Sequence, residues 1–303
     1  MQAFIGIDIG GTNTRVGIVN GRMELEDLVI RPSRDAFKDR SEVRCLIEMI
    51  TKIMDKNKLP QVRAISIGLP SIVSKDGNSA VSTPNVKSLD GLDIVSPIRE
   101  TFSLPVFLSK DANLLLLYEM WKLNITYDKT VTGIFLGTGI GNAVWANGKM
   151  LCGKNNAAGE LGHIPVWNNE LICSCGNVGC METIASGKYL EEIAREHFPG
   201  TDIHELFAEE WPASILDEFV NALSIPIATE INIFDPHYAV LGGGIVNMPN
   251  FPKQRLTDAI MEKLRKPFPA DSTELVFSKG SQEAGVIGAA VYAMMVENKE
   301  GVI

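Results

Sequence analysis

The stretch GIDIGGTNTRVGIVNG, residues 6–21, sets Asp8 inside an apolar run and follows it with the pair Gly10-Gly11. Residues 3–9 and 14–19 read as two strands, and the glycines between them supply the positive φ values that a tight hairpin turn needs. A later stretch, GIFLGTGIGNAVWANG at 133–148, aligns with it without a gap. Gly6, Ile7, Gly10, Asn20 and Gly21 are matched by Gly133, Ile134, Gly137, Asn147 and Gly148, whereas Asp8 is matched by Phe135. The chain reads as using one glycine hairpin twice, with acid in only one copy. Chance likeness between two Gly-rich hairpins is the alternative.

Outward from the hairpins, SEVRCLIEMITKIMDK (41–56) places apolar residues at helical spacing behind a Ser41 cap. AISIGLP (64–70) and LPVFLS (104–109) read as buried strands, the second running into Asp111 and the helical ANLLLLYEMWKL. Helices are expected around 183–197 and 214–233, the latter with Pro226 as a kink. A short strand enters AVLGGGIV (239–246), followed by a helix near 253–265, a strand at 274–277 and a terminal helix after 284. Alternating strands and helices with two related hairpins predict a duplicated α/β protein. Residues 1–112 with about 286–303 are expected to form an N-terminal lobe, and 113–285 a C-terminal lobe.

At 303 residues, with 45% hydrophobic and 21% charged composition, the chain can build two lobes with their own cores. A formal charge of -9 gives no global reason to bind nucleic acid or an anionic membrane. MQAFIGID has no basic region before its apolar residues, and no continuous 18-residue apolar span follows, so a soluble cytoplasmic protein with a small-molecule partner is expected. Three of five cysteines fall within eight residues, a pattern suited to metal rather than to disulfides.

A buried, unpaired Asp8 is costly unless something cationic compensates it, and a metal–nucleotide complex would. Beside it, Gly10, Gly11, Thr12 and Asn13 can offer backbone N–H groups, Thr12 a hydroxyl and Arg15 a fork of donors, all suited to phosphate oxygens. The alternative is a plain hairpin with Asp8 paired to Arg15. A triphosphate held from two sides needs a backbone cradle from each but a metal-organising acid from one. On that reading Gly137, Thr138 and Gly139 form the second phosphate loop. Gly242, Gly243 and Gly244 would let the backbone pass close to a flat ligand such as adenosine, or serve helix packing. Asp111 opens a helix after a strand, so it is either an N-cap or a base for a substrate hydroxyl.

GELGHIPVWNNELICSCGNVGCME (159–182) holds His163, Cys173, Cys175 and Cys180, one imidazole and three thiolates. That is a closed tetrahedral set for Zn²⁺ with no place left for water, hence a structural metal. Glu160 and Glu182 flank the set, and with the second nitrogen of His163 they suit a polyol. Two solvated glutamates are the bland alternative.

DIGGTNTR (8–15), STPN (82–85), KDAN (110–113), LGTGIG (136–141), AAGELGH (157–163), CSCGNVGCME (173–182) and LGGG (241–244) together resemble the ROK family of sugar kinases and repressors. The resemblance implies an actin-like (ribonuclease H-like) two-lobed fold that closes on its sugar, ATP with Mg²⁺, and phosphoryl transfer to the 6-hydroxyl of a hexose. It assigns Asp111 as general base, Asn85, Glu160, His163 and Glu182 as sugar contacts, and His163, Cys173, Cys175 and Cys180 to zinc. It also implies a homodimer. Family members that phosphorylate glucose show Asn-Asp where this chain has Lys110-Asp111, and a Pro-Gly loop where it has LPSIVSKDG (69–77). Those features, with FDPHYAVLGGGIVNMPNFP (234–252), are most similar to D-allose kinases of the family. Lys110 is expected to face the sugar, or else solvent, with specificity left to the 69–77 loop. Other ROK hexokinases and a sugar-sensing, non-catalytic ROK protein are the competing readings. A repressor is disfavoured because the first strand starts near residue 3, leaving no room for a DNA-binding module ahead of it.

Overall fold

The computed structural model describes residues 2–33, 42–57, 61–83 and 86–298. Ser41 and Asn85 lie outside the described residues. In chain order the elements are β1 (Ala3–Ile9), β2 (Asn13–Asn20), β3 (Leu25–Pro32), α1 (Glu42–Asn57), β4 (Val62–Leu69), β5 (Ile72–Val73), β6 (Ala80–Ser82), α2 (Val95–Phe102), β7 (Val106–Lys110) and α3 (Asp111–Lys122). They continue with β8 (Val131–Leu136), β9 (Ile140–Ala146), β10 (Lys149–Met150), α4 (Gly187–His197), α5 (Leu206–Glu209), α6 (Ser214–Phe234), β11 (Tyr238–Gly242), α7 (Lys253–Lys263), β12 (Glu274–Phe277) and α8 (Ala284–Asn298). No described helix is long and apolar enough to cross a membrane.

The chain forms two compact units. The first comprises Met1–Thr126, Gly148–Ala158 and Ser281–Ile303, and the second Tyr127–Asn147 and Gly159–Gly280. In the first, the sheet order is β3-β2-β1-β4-β7, with β1 antiparallel to β2 and parallel to β4. Because strand side chains alternate between faces, Ile5, Ile7 and Ile9 enter one core with Leu46, Ile50 and Ile53 of α1 and Val95 and Ile98 of α2. Gly6 and Asp8 turn to the other face, beneath α8, where Val286 lies directly over Gly6. The second unit repeats the arrangement, its sheet running β9-β8-β11-β12. Ile134, Leu136, Ala239 and Leu241 meet Leu190 of α4, Phe219 and Leu223 of α6 and Ile260 of α7. Pro226 does not break α6, which runs without interruption from Ser214 to Phe234.

The two hairpins are therefore equivalent, with one correction to the gapless alignment. Ile9 pairs with Thr14, leaving residues 10–13 in the turn, whereas Leu136 pairs with Ile140, leaving 137–139. The second turn is one residue shorter, so the match holds along the first strands and slips by one in the second. Asp8 and Phe135 remain equivalent: each faces a glycine on the neighbouring parallel strand, Gly68 and Gly242 respectively.

Candidate functional site

In the first unit the turn after β1 is fastened from behind by Ser33. Its N–H donates to Thr12 O at 2.8 Å, its hydroxyl donates to Gly10 O at 2.6 Å, and it shares a 3.0 Å hydrogen bond with the buried Thr14 hydroxyl. Gly10 N donates to Asn13 O at 2.9 Å and closes the turn. Gly11 and Thr12 are left exposed at its tip.

Asp8 accepts from Arg15 Nη1 at 3.1 Å, so the plain ion pair is present. It does not suffice. Burial pushes the Asp8 carboxyl up to about 6, Arg15 pulls it down only in part, and the neighbouring Asp111 raises it further. Among the described residues the buried Arg15 Nε has no hydrogen-bond partner. Gly285, in the first turn of α8, makes the room: an added Cβ would lie 2.6 Å from Asp8 Cγ.

Asp111 is the first residue of α3, and the cap position before it belongs to Lys110, which is extended and caps nothing with its side chain. The N-cap reading of Asp111 is corrected accordingly; one of its oxygens accepts from Ala112 N at 2.7 Å. Lys110 Nζ, only partly exposed, donates to Ala158 O at 3.3 Å, so it does not simply point to solvent. Asn156 Nδ2 reaches Val73 O and Ser74 O at 3.3 and 3.1 Å, tying the 148–158 segment to the 69–77 loop.

In the second unit the shorter turn rests on the start of α4. Gly187 N donates to Gly137 O at 2.8 Å and Lys188 N to Thr138 O at 3.2 Å, while Ser186 caps the helix by accepting from Tyr189 N. Glu182 Oε2 accepts from Ile140 N at 2.9 Å, which puts this carboxylate at the loop's exit. The motif glycines divide by cause. Gly139 is demanded by Glu182, whose Cδ would lie 2.9 Å from an added Cβ, and Gly242 by the Phe135 ring at 2.8 Å. Gly243 has φ +97. Among the described residues Gly137 and Gly244 meet nothing within 4 Å, and neither has a positive φ, so the described packing gives no reason for a glycine there.

His163, Cys173, Cys175 and Cys180 converge, their ligand atoms all within 4.8 Å of one another. Cys173 Sγ lies 3.6 Å from His163 Nδ1, and Cys175 Sγ 3.7 Å from Cys180 Sγ. Zn–S bonds of about 2.3 Å and Zn–N bonds of about 2.0 Å at tetrahedral angles require separations of about 3.5–3.8 Å, which these two contacts meet, and the donor chemistry of one imidazole and three thiols suits the metal. Nδ1 faces the cluster, and Nε2 lies 3.6 Å from Glu160 Oε2. A carboxylate beside the outer nitrogen of a ligating histidine fixes its ring and tautomer. Glu160 is thus brought to His163, whereas Glu182 is brought to the glycine loop.

The sequence profile of the ROK family matches residues 4–296. The chain belongs to the ROK family. This ROK protein is 28% identical to a glucokinase of Thermotoga maritima over 95% of its own length and 96% of that protein. It is 30% identical to an N-acetyl-D-glucosamine kinase of Haemophilus influenzae over 95% and 98%. It superposes on the crystal structure of a ROK hexokinase from Thermus thermophilus with a TM-score of 0.81 at 25% identity, covering 98% of this chain and 99% of that one. The two-lobed α/β fold is therefore that of ROK sugar kinases.

Three features that support these loops and Asp8 were missed in the sequence: Ser33 and Gly285 in the first unit and the Ser186-Gly187 helix start in the second. Ser186 was legible as a Ser before a helical run, a signal for a cap. Ser33 and Gly285 act on turns far away in the chain and leave no local mark.

Proposed function

We propose that this ROK protein is an ATP-dependent hexose kinase that transfers the γ-phosphate to the sugar 6-hydroxyl, with D-allose as the hexose. The observation that carries the kinase reading is Asp8: a carboxylate pushed up to about 6 beside a second carboxylate, Asp111, with an unpartnered Arg15 Nε next to it. Such a group costs the fold stability and gains a cation when a metal–nucleotide complex binds. Mg²⁺ carried by ATP would be drawn to Asp8 and would supply positive charge against the charge that develops in transfer.

Asp111 accepts the proton of the 6-hydroxyl as its oxygen bonds to the γ-phosphorus and the bond from that phosphorus to ADP breaks. Gly11, Thr12, Asn13 and Arg15 receive phosphate oxygens in the first unit, and Thr138 and Gly139 in the second, while the N–H groups of Gly10 and Gly137 close their turns onto Asn13 O and Gly139 O. Gly242, Gly243 and Gly244 leave space for adenosine. Open space at Gly137 and Gly244 supports these roles. Lys110, Asn85, Glu160, His163 and Glu182 are the proposed sugar contacts, and His163, Cys173, Cys175 and Cys180 hold a structural Zn²⁺. The first unit, which is wider than the expected lobe of 1–112 with about 286–303 because it also takes in 113–126, 148–158 and 281–285, carries the first phosphate loop. The remainder carries the metal, the second loop and the nucleoside. A cytoplasmic homodimer is the proposed form.

D-Allose is favoured over glucose by Lys110 and by the LPSIVSKDG loop. The 3-hydroxyl orientation separates the two sugars, and an ammonium only donates where an amide donates and accepts. A second reading, an N-acetylhexosamine kinase, is supported by the 30% identity to such an enzyme. A coupled ADP-release assay with D-allose, D-glucose and N-acetylglucosamine tests all three. D-Allose should show the highest kcat/KM, exceeding glucose by roughly ten- to hundredfold, and Lys110→Asn should narrow that gap. Equal or better use of glucose would remove allose and leave the hexose kinase. Turnover of N-acetylglucosamine alone would establish the second reading, and no turnover with any sugar would favour a sensor.

A further inference from the structure

Glu182 is the middle residue of a single 3₁₀ turn, Met181–Thr183, whose cap residue is Cys180 of the His/Cys cluster. That turn is held on every side. Met181 N donates to Ile164 O at 2.9 Å, Thr183 Oγ1 donates to Cys180 O at 2.8 Å, and Asn169 Nδ2 reaches both Cys180 O and Thr183 Oγ1 at 3.2 and 2.8 Å. Pro165 and Cys180 form an isolated bridge, so the chain just after His163 and the last cysteine lie side by side. The turn is therefore fixed in place directly beside the cluster.

From this turn the Glu182 carboxylate reaches Ile140 N at 2.9 Å, the first residue after Gly137-Thr138-Gly139. It lies between two glycines that have no side chains to obstruct it. One is Gly139 of the loop, and the other is Gly162, next to His163, where an added Cβ would lie 3.3 Å from Oε2. One carboxylate thus bridges the residue beside a cluster ligand and the exit of the loop. We propose that Glu182 is a positioning residue that transmits the state of the His/Cys cluster to the 137–139 loop, so that nucleotide affinity depends on the bound metal. The inference rests on reading that loop as a phosphate loop, and it gives Glu182 a second task beside the sugar contact proposed for it.

The test uses the full-length, zinc-loaded protein, the same protein after treatment with a chelator, and the variants Glu182→Ala and Glu182→Gln. Calorimetry measures binding of MgATP and of hexose, and hydrogen exchange follows the peptide covering 137–142. Losing a charge-assisted acceptor should weaken MgATP binding by about tenfold or more and speed exchange in that peptide, in Glu182→Ala and in the chelated protein alike. Glu182→Gln, which keeps an oxygen acceptor, should restore most of both. Chelating Glu182→Ala should add little, because the two perturbations break one connection.

Chelation that leaves both MgATP affinity and 137–142 exchange unchanged would overturn the coupling. So would Glu182→Ala weakening hexose binding alone, which would return Glu182 to the sugar. If the loaded wild-type protein bound no adenine nucleotide, the kinase reading would fall, and the exchange measurements would decide the coupling by themselves.

Discussion

Replacing Asp8 by Asn should make the nucleotide-free protein more stable while damaging its use of MgATP. The Asp8 side chain is 19% exposed, and its carboxyl is raised from 3.8 to about 6 even with Arg15 beside it. Between those values the folded protein holds this proton more tightly than the unfolded chain does, so stability falls as pH rises through that window. The ionised carboxylate then costs about 3 kcal/mol at pH 8 and about half of that at pH 5. Asn removes the charge but weakens the bond to Arg15, returning about 1–2 kcal/mol of the gain. A net stabilisation of about 1–2 kcal/mol at pH 8 should therefore shrink towards zero at pH 5. Urea denaturation followed by circular dichroism at the two pH values reads this, with MgATP added in a parallel series. In that series wild type should gain more than Asp8→Asn, because only the carboxylate draws the metal. A variant that is less stable than wild type at pH 8, or that responds equally to MgATP, would reduce Asp8 to the structural partner of Arg15.

Asp111→Asn should keep the fold and sugar affinity but lower kcat by roughly 10²–10⁴-fold, since a positioned base is lost; near-normal turnover would remove Asp111 from the chemistry. Metal analysis of purified protein should find about one Zn²⁺ per chain, and Cys175→Ser should abolish it, because a closed site needs all four ligands. Metal-free protein with full activity would refute a required metal. Glu230, buried on α6 and bonded to Asn142 Nδ2 at 2.8 Å, has its carboxyl raised by burial. Glu230→Gln keeps the acceptor without the charge, so it should raise stability at pH 8 more than at pH 5. Equal effects at both would show that Glu230 is not strained by ionisation.

The parts of the molecule written locally in the chain were legible from it. The spacing of Val43, Leu46, Ile50 and Ile53 announces α1, and these residues are buried as that spacing requires. The His/Cys cluster was readable because its ligands crowd into one short stretch, and they do converge. β3 was missed because LEDLVIRP is an edge strand whose acidic and basic residues stay partly exposed, which hides the alternation. α2 was missed because VSPIRETF carries a proline in its first turn, a place where a helix tolerates it. The shortened second turn was hidden by coincident Asn-Gly pairs after both hairpins, which reward a gapless match although the pairing register rejects it. The contact between Glu182 and Ile140 was invisible because it depends on how two distant turns are packed.

The position of α8 in the chain has a consequence for how the protein is made. Gly6 and Gly17 accept Val286, Gly285 lies on Asp8, and Gly288 packs onto the Leu114 backbone, so this helix covers the face of the first sheet that holds the acid. Yet its residues, Ala284–Asn298, leave the ribosome after every other described strand and helix of both units. The second unit has every strand and helix it needs by Gly280, whereas the first, begun much earlier, must wait with part of one face of its sheet, over Gly6, Asp8 and Gly17, uncovered. During that interval an apolar surface is open to chaperones or to self-association. A ribosome that stops just past residue 280 would release a protein whose later-made unit has all its elements and whose earlier-made unit still lacks the helix over Asp8.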